Sequence, residues 1–225
     1  MMELTDKDFI KLTEYIRTNY GISIGGQKRE LLGARLGNTL TQSGYKSYEE
    51  FISEVVEKKN SEAAAMLINR ITTNHTFFMR EKEHFYYFRD VVLPYLEKTV
   101  GNNDLRIWCA ACSTGEESYT LAIILSEYFG KKKLFWVTKI LATDISDRAL
   151  GEAAAGIYSA DRLSALPPGW RSGYFKSVGG DRYKICDKIR NEVIYRKFNL
   201  MESYYPFKRK FHVIFCRNVM IYFNN

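Results

Sequence analysis

The chain has 225 residues, 46% hydrophobic and 15% aromatic with only 4 prolines, which excludes a disordered polypeptide and suffices to bury a core in one large or two smaller domains. Thirty-three Lys and Arg against 26 Asp and Glu give a net charge of +7, which biases encounters toward nucleic acid, an anionic membrane or an acidic protein surface. The start, MMELTDKDF, has no apolar stretch behind a basic one and no long apolar run follows, so neither a signal peptide nor a spanning helix is expected, and the protein is expected in the cytoplasm.

LTDKDFIKLTEYIRTNYGI predicts a capped amphipathic helix, with Thr5 or Asp6 as cap, an apolar stripe of Phe9, Ile10, Leu12, Tyr15 and Ile16, and Gly21 as terminator. KRELLGARLGNTLTQSGY predicts a second helix, basic on one side (Lys28, Arg29, Arg35) and apolar on the other (Leu31, Leu32, Leu36, Leu40). SYEEFISEVVEKK predicts a third, with Ser47 and Glu50 spaced as a capping box, and SEAAAMLINRIT a fourth. Four short helices make a small all-helical domain.

From Leu105 the pattern becomes strand alternating with helix. LRIWCA and WVTKILATDIS read as strands, YTLAIILSEYF and SDRALGEAAAGIY as helices, the latter capped by Ser146. DRYKICDKI, EVIYRKFNL and FHVIFCRNVMIYF read as further strands, the last an almost continuous apolar run suited to the middle of a parallel sheet. YFKSVGGDRYKIC predicts a short hairpin around Gly179-Gly180. Such alternation argues for an open sheet of Rossmann type, whose ligands sit at the carboxyl ends of the strands. The ends to inspect are Cys109 to Glu117, Asp144, Asn199 and Cys216 to Asn218.

The first of these ends, WCAACSTGEESYT, has neither G-x-G-x-x-G nor G-x-x-x-x-G-K-[ST], so a pyrophosphate or triphosphate lacks its usual cradle. Glu116 and Glu117 there repel phosphate and attract a cation such as the ammonium or sulfonium of S-adenosylmethionine, while small residues let a ligand approach the backbone. Asp144 ends the second strand, where an acidic residue accepts hydrogen bonds from the ribose of an adenosine. The plainer reading is that both glutamates favour a helix N-terminus through its dipole. Cys109 and Cys112 form a single C-x-x-C without a second pair, and His75, His84 and His212 are scattered, so no metal site is expected and the thiols are expected to be reduced.

RIWCAACSTGEESYTLAI, ILATDIS, FNL and FHVIFCRNVMIYFN, with TTNHTFFMRE upstream, closely resemble CheR-type chemotaxis receptor methyltransferases, in order and at similar spacing from the first helix onward. The resemblance implies methyl transfer from S-adenosylmethionine to glutamate side chains of the cytoplasmic helical domain of chemotaxis receptors, leaving S-adenosylhomocysteine. It implies that Asn74, Thr76 and Arg80 contact the cofactor, Arg80 also orienting a carboxylate at the reacting centre. It likewise implies Glu116 or Glu117 at the methionine ammonium, Asp144 at the ribose, and Asn199, Leu200, Arg217 and Asn218 near the adenosine end. Phe77, Phe78, Tyr222 and Phe223 are expected to shield the site, and Lys28, Arg29 and Arg35 to dock the receptor. No metal, nucleic acid or direct membrane insertion is implied.

The predicted fold is therefore α+α/β: an N-terminal helical domain and linker helix over residues 1–85, then a Rossmann-like methyltransferase domain over 86–225 with a hairpin near 172–190. Three departures from the family pattern stand out. Met79 replaces an aromatic between Thr76 and Arg80, and Ala111 takes a position where glycine is common. The family also continues past IYFN through a further helix and closing strands, so the sheet is expected to be truncated. A non-catalytic adaptor with the same fold remains an alternative. A nucleic-acid methyltransferase is disfavoured, because Arg217-Asn218-Val219-Met220 stands where a base-gripping Asn/Asp-Pro-Pro-aromatic motif belongs, and no proline precedes a cysteine.

Overall fold

Helix α1 (Asp6–Tyr20) starts where Thr5 Oγ1 accepts the Asp8 amide at 3.2 Å and stops at Gly21, whose φ of 68° few side chains tolerate. The computed structural model describes residues 2–223, and contacts divide them into two units. The first comprises residues 2–73 with Asn199–Tyr204 and residues 218–223; the second comprises Asn74–Phe198 and Tyr205–Arg217. Residue 85 lies inside α5 (Lys82–Tyr87) of the second unit.

In the first unit α1 is followed by a 3₁₀ turn (Gly26–Lys28), α2 (Arg29–Gln42), α3 (Tyr48–Ile52) running into a π turn (Ser53–Glu57), and α4 (Ser61–Ile71). Leu12, Ile16, Leu36, Leu40 and Phe51 form its core. The expected apolar stripes are trimmed: Ile10 is 61% exposed and Leu31 is also exposed. Ser47 Oγ caps the Glu50 amide at 3.1 Å, but the Glu50 carboxylate takes the Lys46 amide at 2.7 Å, one residue before the cap. An antiparallel bridge joins Ile22 to Phe223, and a Cβ on Gly21 would meet Met201 Sδ at 2.5 Å and Phe223 Cδ1 at 2.9 Å.

The second unit is built on four parallel strands in the order β6-β2-β1-β7: β1 (Ile107–Ala110), β2 (Ile140–Asp144), β6 (Val193–Lys197) and β7 (Val213–Cys216). Helices α7 (Glu116–Phe129) and α8 (Asp147–Ala155) pack on β2 and β6. Successive strand residues face opposite ways. Ile107 and Cys109 join the main core with Tyr119 and Leu121, while Trp108 lies among Phe198, Tyr205, Phe207 and Phe211 and donates Nε1 to Thr143 Oγ1 at 3.0 Å.

The hairpin expected around Gly179-Gly180 is present, β4 (Phe175–Ser177) pairing antiparallel with β5 (Arg182–Ile185), which also pairs with β3 (Ile157–Ser159) in a separate sheet of order β3-β5-β4. One sequence expectation is corrected. FHVIFCRNVMIYF supplies only four strand residues, because Asn218 turns the chain at φ 56° and Met220–Tyr222 form a 3₁₀ turn.

Candidate functional site

The loop from β1 to α7 runs over the end of β2 with Ala111 (φ 60°), Ser113 (φ 50°) and Gly115 (φ 95°) in left-handed conformations. At Ala111 the backbone explains why glycine suits that position: a Cβ there carries strain. Asp144 binds the loop down. Its Oδ2 accepts the Ser113 amide at 2.7 Å and its Oδ1 the Ser146 amide at 2.9 Å, so one carboxylate joins the loops after β1 and β2. Burial pushes the Asp144 carboxyl up from its ordinary range, against the pull of the Ser146, Ser113 and Ile145 amides. Gly115 has no room for a side chain, since a Cβ would lie 2.9 Å from both Ala153 Cβ and Tyr195 Oη and 3.0 Å from Tyr158 Oη.

The two glutamates that follow point to different partners. Glu116 is wholly buried: Thr114 Oγ1 donates to it at 2.7 Å, and Arg162 Nη2 reaches the other carboxylate oxygen. Arg162 also donates to Thr114 Oγ1 at 2.6 Å and lies over the Tyr158 ring at 4.9 Å, while Tyr158 Oη donates to the Thr114 carbonyl at 2.8 Å. Glu117 accepts from the Cys109 thiol at 3.1 Å and from Arg217 Nη1 at 2.9 Å. Burial raises both carboxyls, and Arg162 and Arg217 respectively oppose it. Burial likewise pushes the Cys109 and Cys112 thiols well up, leaving them poor nucleophiles.

The segment 74–80 closes on this loop, with Ser113 Oγ donating to the Asn74 carbonyl at 3.3 Å. Thr76 is half-buried, and Arg80 Nη1 donates to the His75 carbonyl at 2.8 Å. Arg217 Nη2 reaches the Arg80 carbonyl and Glu81 Oε2, the latter at 3.1 Å, and its guanidinium lies 5.0 Å from the Phe85 ring centre. Among the described residues three buried side-chain nitrogens lack a hydrogen-bond partner: Asn74 Nδ2, Arg217 Nε and Lys133 Nζ, the last 3.0 Å from Glu192 Oε2. Asn74 and Arg217 are both residues the sequence motifs single out, and a buried N–H without an acceptor is costly unless a ligand supplies one.

Asn74, Thr76, Arg80, Glu116, Glu117, Asp144 and Arg217 thus fall in one unit around one loop. Asn199, Leu200 and Asn218 belong to the first unit, where Asn199 Nδ2 donates to the Asn19 carbonyl at 2.7 Å and Asn199 Oδ1 accepts the Met201 amide at 3.0 Å. One expectation changes. Phe78 is a core residue, edge-on to Tyr158 and Phe175 at 5.0 and 5.5 Å, while its neighbour Phe77 is exposed. Of the three basic residues around the start of α2, Arg29 donates from Nε and Nη2 to the Leu4 carbonyl and from Nη1 to Asp6 at 2.6 Å, while Lys28 and Arg35 are exposed. Sequence reading missed Arg162. The only signal was general, that a glutamate buried in an apolar helix needs a cation, and 46 residues separate the pair.

Residues 7–72 match the family model described as "CheR methyltransferase, all-alpha domain", and residues 74–225 match "CheR methyltransferase, SAM binding domain". A chemotaxis protein methyltransferase of Borreliella burgdorferi is 37% identical over 99% of this chain and 80% of its own length. Chemotaxis protein methyltransferase 1 of Pseudomonas aeruginosa is 34% identical over 99% of the chain and 82% of its own length. The Salmonella typhimurium chemotaxis protein methyltransferase is 33% identical over 99% of the chain and 76% of its own length. With an all-helical segment, a parallel sheet whose strand ends carry the acidic loop, and two family models spanning nearly the whole sequence, the chain belongs to the CheR methyltransferase family, whose methyl donor is S-adenosylmethionine.

Proposed function

We propose that this chain methylates glutamate side chains of the cytoplasmic helical domain of chemotaxis receptors, in the cytoplasm, and that its cofactor is held at the loop between β1 and α7. Among the described residues no helix is long and apolar enough to cross a membrane. The observation that carries the assignment of the site is the pair of orphaned donors at Asn74 and Arg217 beside a buried carboxylate at Asp144. That donor set fits S-adenosylmethionine, which offers acceptors in its carboxylate and adenosine and donors in its ribose hydroxyls and ammonium.

Bound S-adenosylmethionine supplies an electrophilic methyl group on a cationic sulfur. Asp144 accepts from the ribose hydroxyls, and the Asn74 amide donates to an acceptor of the cofactor. Both glutamates are paired with an arginine, but Glu117 keeps some exposed surface and Glu116 keeps none, so Glu117 is the acidic residue for the methionine ammonium. Thr76 and Arg80 line the same segment, and Arg80 orients a carboxylate. Arg217, paired with Glu117, offers its unpartnered Nε to an acceptor of the cofactor. A substrate glutamate ionises near pH 4.3, so at neutral pH it is already a nucleophile and no general base is needed. The protein's contribution is then orientation, which alone lowers such barriers by several kcal/mol.

Calorimetric titration of S-adenosylhomocysteine tests this. Asn74→Ala removes a donor that has no partner in the free protein, so it is expected to leave stability at or above wild type while weakening binding roughly tenfold. Asp144→Ala is expected to abolish binding, with a lower melting temperature because the Ser113 and Ser146 amides lose their acceptor. Wild-type affinity in both variants would overturn the assignment.

The receptor surface we propose is the exposed pair Lys28 and Arg35, with Arg29 structural. Lys28→Glu combined with Arg35→Glu is expected to weaken binding of a receptor fragment roughly tenfold at low salt without altering S-adenosylhomocysteine affinity. Unchanged receptor affinity at low salt would remove α2 from the docking surface.

A further inference from the structure

Beyond α7 the chain makes a 3₁₀ turn, Gly130–Phe135, with the sequence GKKKLF. Its two apolar side chains face outward: Leu134 is 88% exposed and Phe135 75%. The turn is not a loose flap. Trp136 packs its ring 4.7 Å from that of Phe129, Lys133 pairs with Glu192 at 3.0 Å, and the Val137 amide donates to the Asn103 carbonyl at 2.9 Å. Two large hydrophobes are therefore held in water on a fixed support, which soluble surfaces avoid unless something covers them.

The surroundings are cationic. Lys131 and Lys98 are exposed, Lys132 pairs with Glu97 at 2.7 Å with most of its side chain in water, and Lys139 lies 3.5 Å from Glu192. Lys98 and Lys132 face Glu97, Lys133 and Lys139 face Glu192, and Lys131 stands in the same turn, an excess of positive charge around an apolar tip. Leu and Phe side chains seat in the interfacial layer of a bilayer, and flanking lysines are attracted to anionic headgroups. A fluid anionic surface suits a protruding tip because it needs no matching groove.

We propose that the Gly130–Phe135 turn is a peripheral membrane contact, in which Leu134 and Phe135 enter the interface of an anionic lipid bilayer while Lys98, Lys131, Lys132 and Lys139 meet its headgroups. The contact is independent of the methyl-transfer site and lies wholly within the sheet unit. It spans nothing; it concentrates the protein at the lipid surface.

Flotation of the whole chain with vesicles of phosphatidylcholine, with and without one-third phosphatidylglycerol, tests it. The wild type is expected to float with the anionic vesicles, to stay behind with the neutral ones, and to be released by high salt. Leu134→Ser with Phe135→Ser, at sites too exposed to disturb the fold, is expected to lower partitioning roughly tenfold or more. Lys98→Glu with Lys131→Glu is expected to lower it by a similar factor while keeping the apolar tip. The proposal fails if the wild type does not float, if the serine variant floats equally well, or if neutral and anionic vesicles are bound alike. It also fails if, instead of floating, the wild type self-associates and the serine variant does not, which would assign the tip to a second copy of the chain.

Discussion

Arg162→Met is expected to destabilise the sheet unit by about 3–5 kcal/mol at neutral pH, the range for removing one partner of a buried ion pair. Glu116 has no exposed surface, and its remaining contacts are the Thr114 hydroxyl and its place at the start of α7, where the helix dipole gives limited relief. The reverse change is gentler, because the Arg162 side chain is 32% exposed and can turn to water once Glu116→Gln removes its partner. The double variant should recover much of the loss. The pH dependence has a definite sign. Burial already holds the Glu116 carboxyl above its ordinary value, and removing Arg162 raises it further. The folded variant therefore takes up a proton before the unfolded chain does, and its deficit shrinks as pH falls toward about 5. Urea denaturation at neutral pH and near pH 5 checks this. A deficit that does not change with pH would mean that Arg162 acts through its stacking on Tyr158 and not through charge.

Gly115→Ala is expected to cost about 2–5 kcal/mol, combining strain at φ 95° with overpacking against Ala153, Tyr158 and Tyr195. Those three residues come from α8, β3 and β6, so the loop has no single soft neighbour to displace. Affinity for S-adenosylhomocysteine should fall at least tenfold, because the loop that Asp144 holds must shift to admit the methyl group. A melting temperature and affinity unchanged from wild type would mean that Gly115 is dispensable. Gly26, which has no heavy atom within 4 Å of an added Cβ, is the control expected to tolerate alanine.

Signals carried by a few neighbouring residues were legible in the sequence. Thr5 and Gly21 bound α1, Ser146 caps α8 by accepting the Ala149 amide, and Asp144 ends β2 as expected. These succeed because caps and strand ends are local chemistry. Periodicity was less sure of itself. It identifies the faces of α1 and α2 but not their width, so Ile10 and Leu31, members of the predicted apolar stripes, stay exposed. The run from Phe211 to Phe223 shows the other limit: apolar content signals burial, and it was Asn218, tolerant of a left-handed backbone, that held the information about where the strand ends. Least legible were pairings across the chain. Nothing near Glu116 announces Arg162, nothing near Glu117 announces Arg217, and β3 is too short to stand out until β5 lies beside it.

The helical unit is sewn shut by late-arriving chain. Asn199 bonds to Asn19 across 180 residues, and Phe223 bridges to Ile22. At ribosomal speeds of about 5–20 residues per second, α1 waits roughly 10–40 s after synthesis before Met201 and Phe223 can settle against Gly21. Until then the N-terminal helices are only partly sealed, so the first helix made is among the last elements finished. Closing so long a loop is entropically mild, since the penalty grows only as a logarithm, but it is slow. Residues 199–204 and 218–223 thus act as a latch on α1, whose packing is completed only after chain far beyond it in sequence has been made.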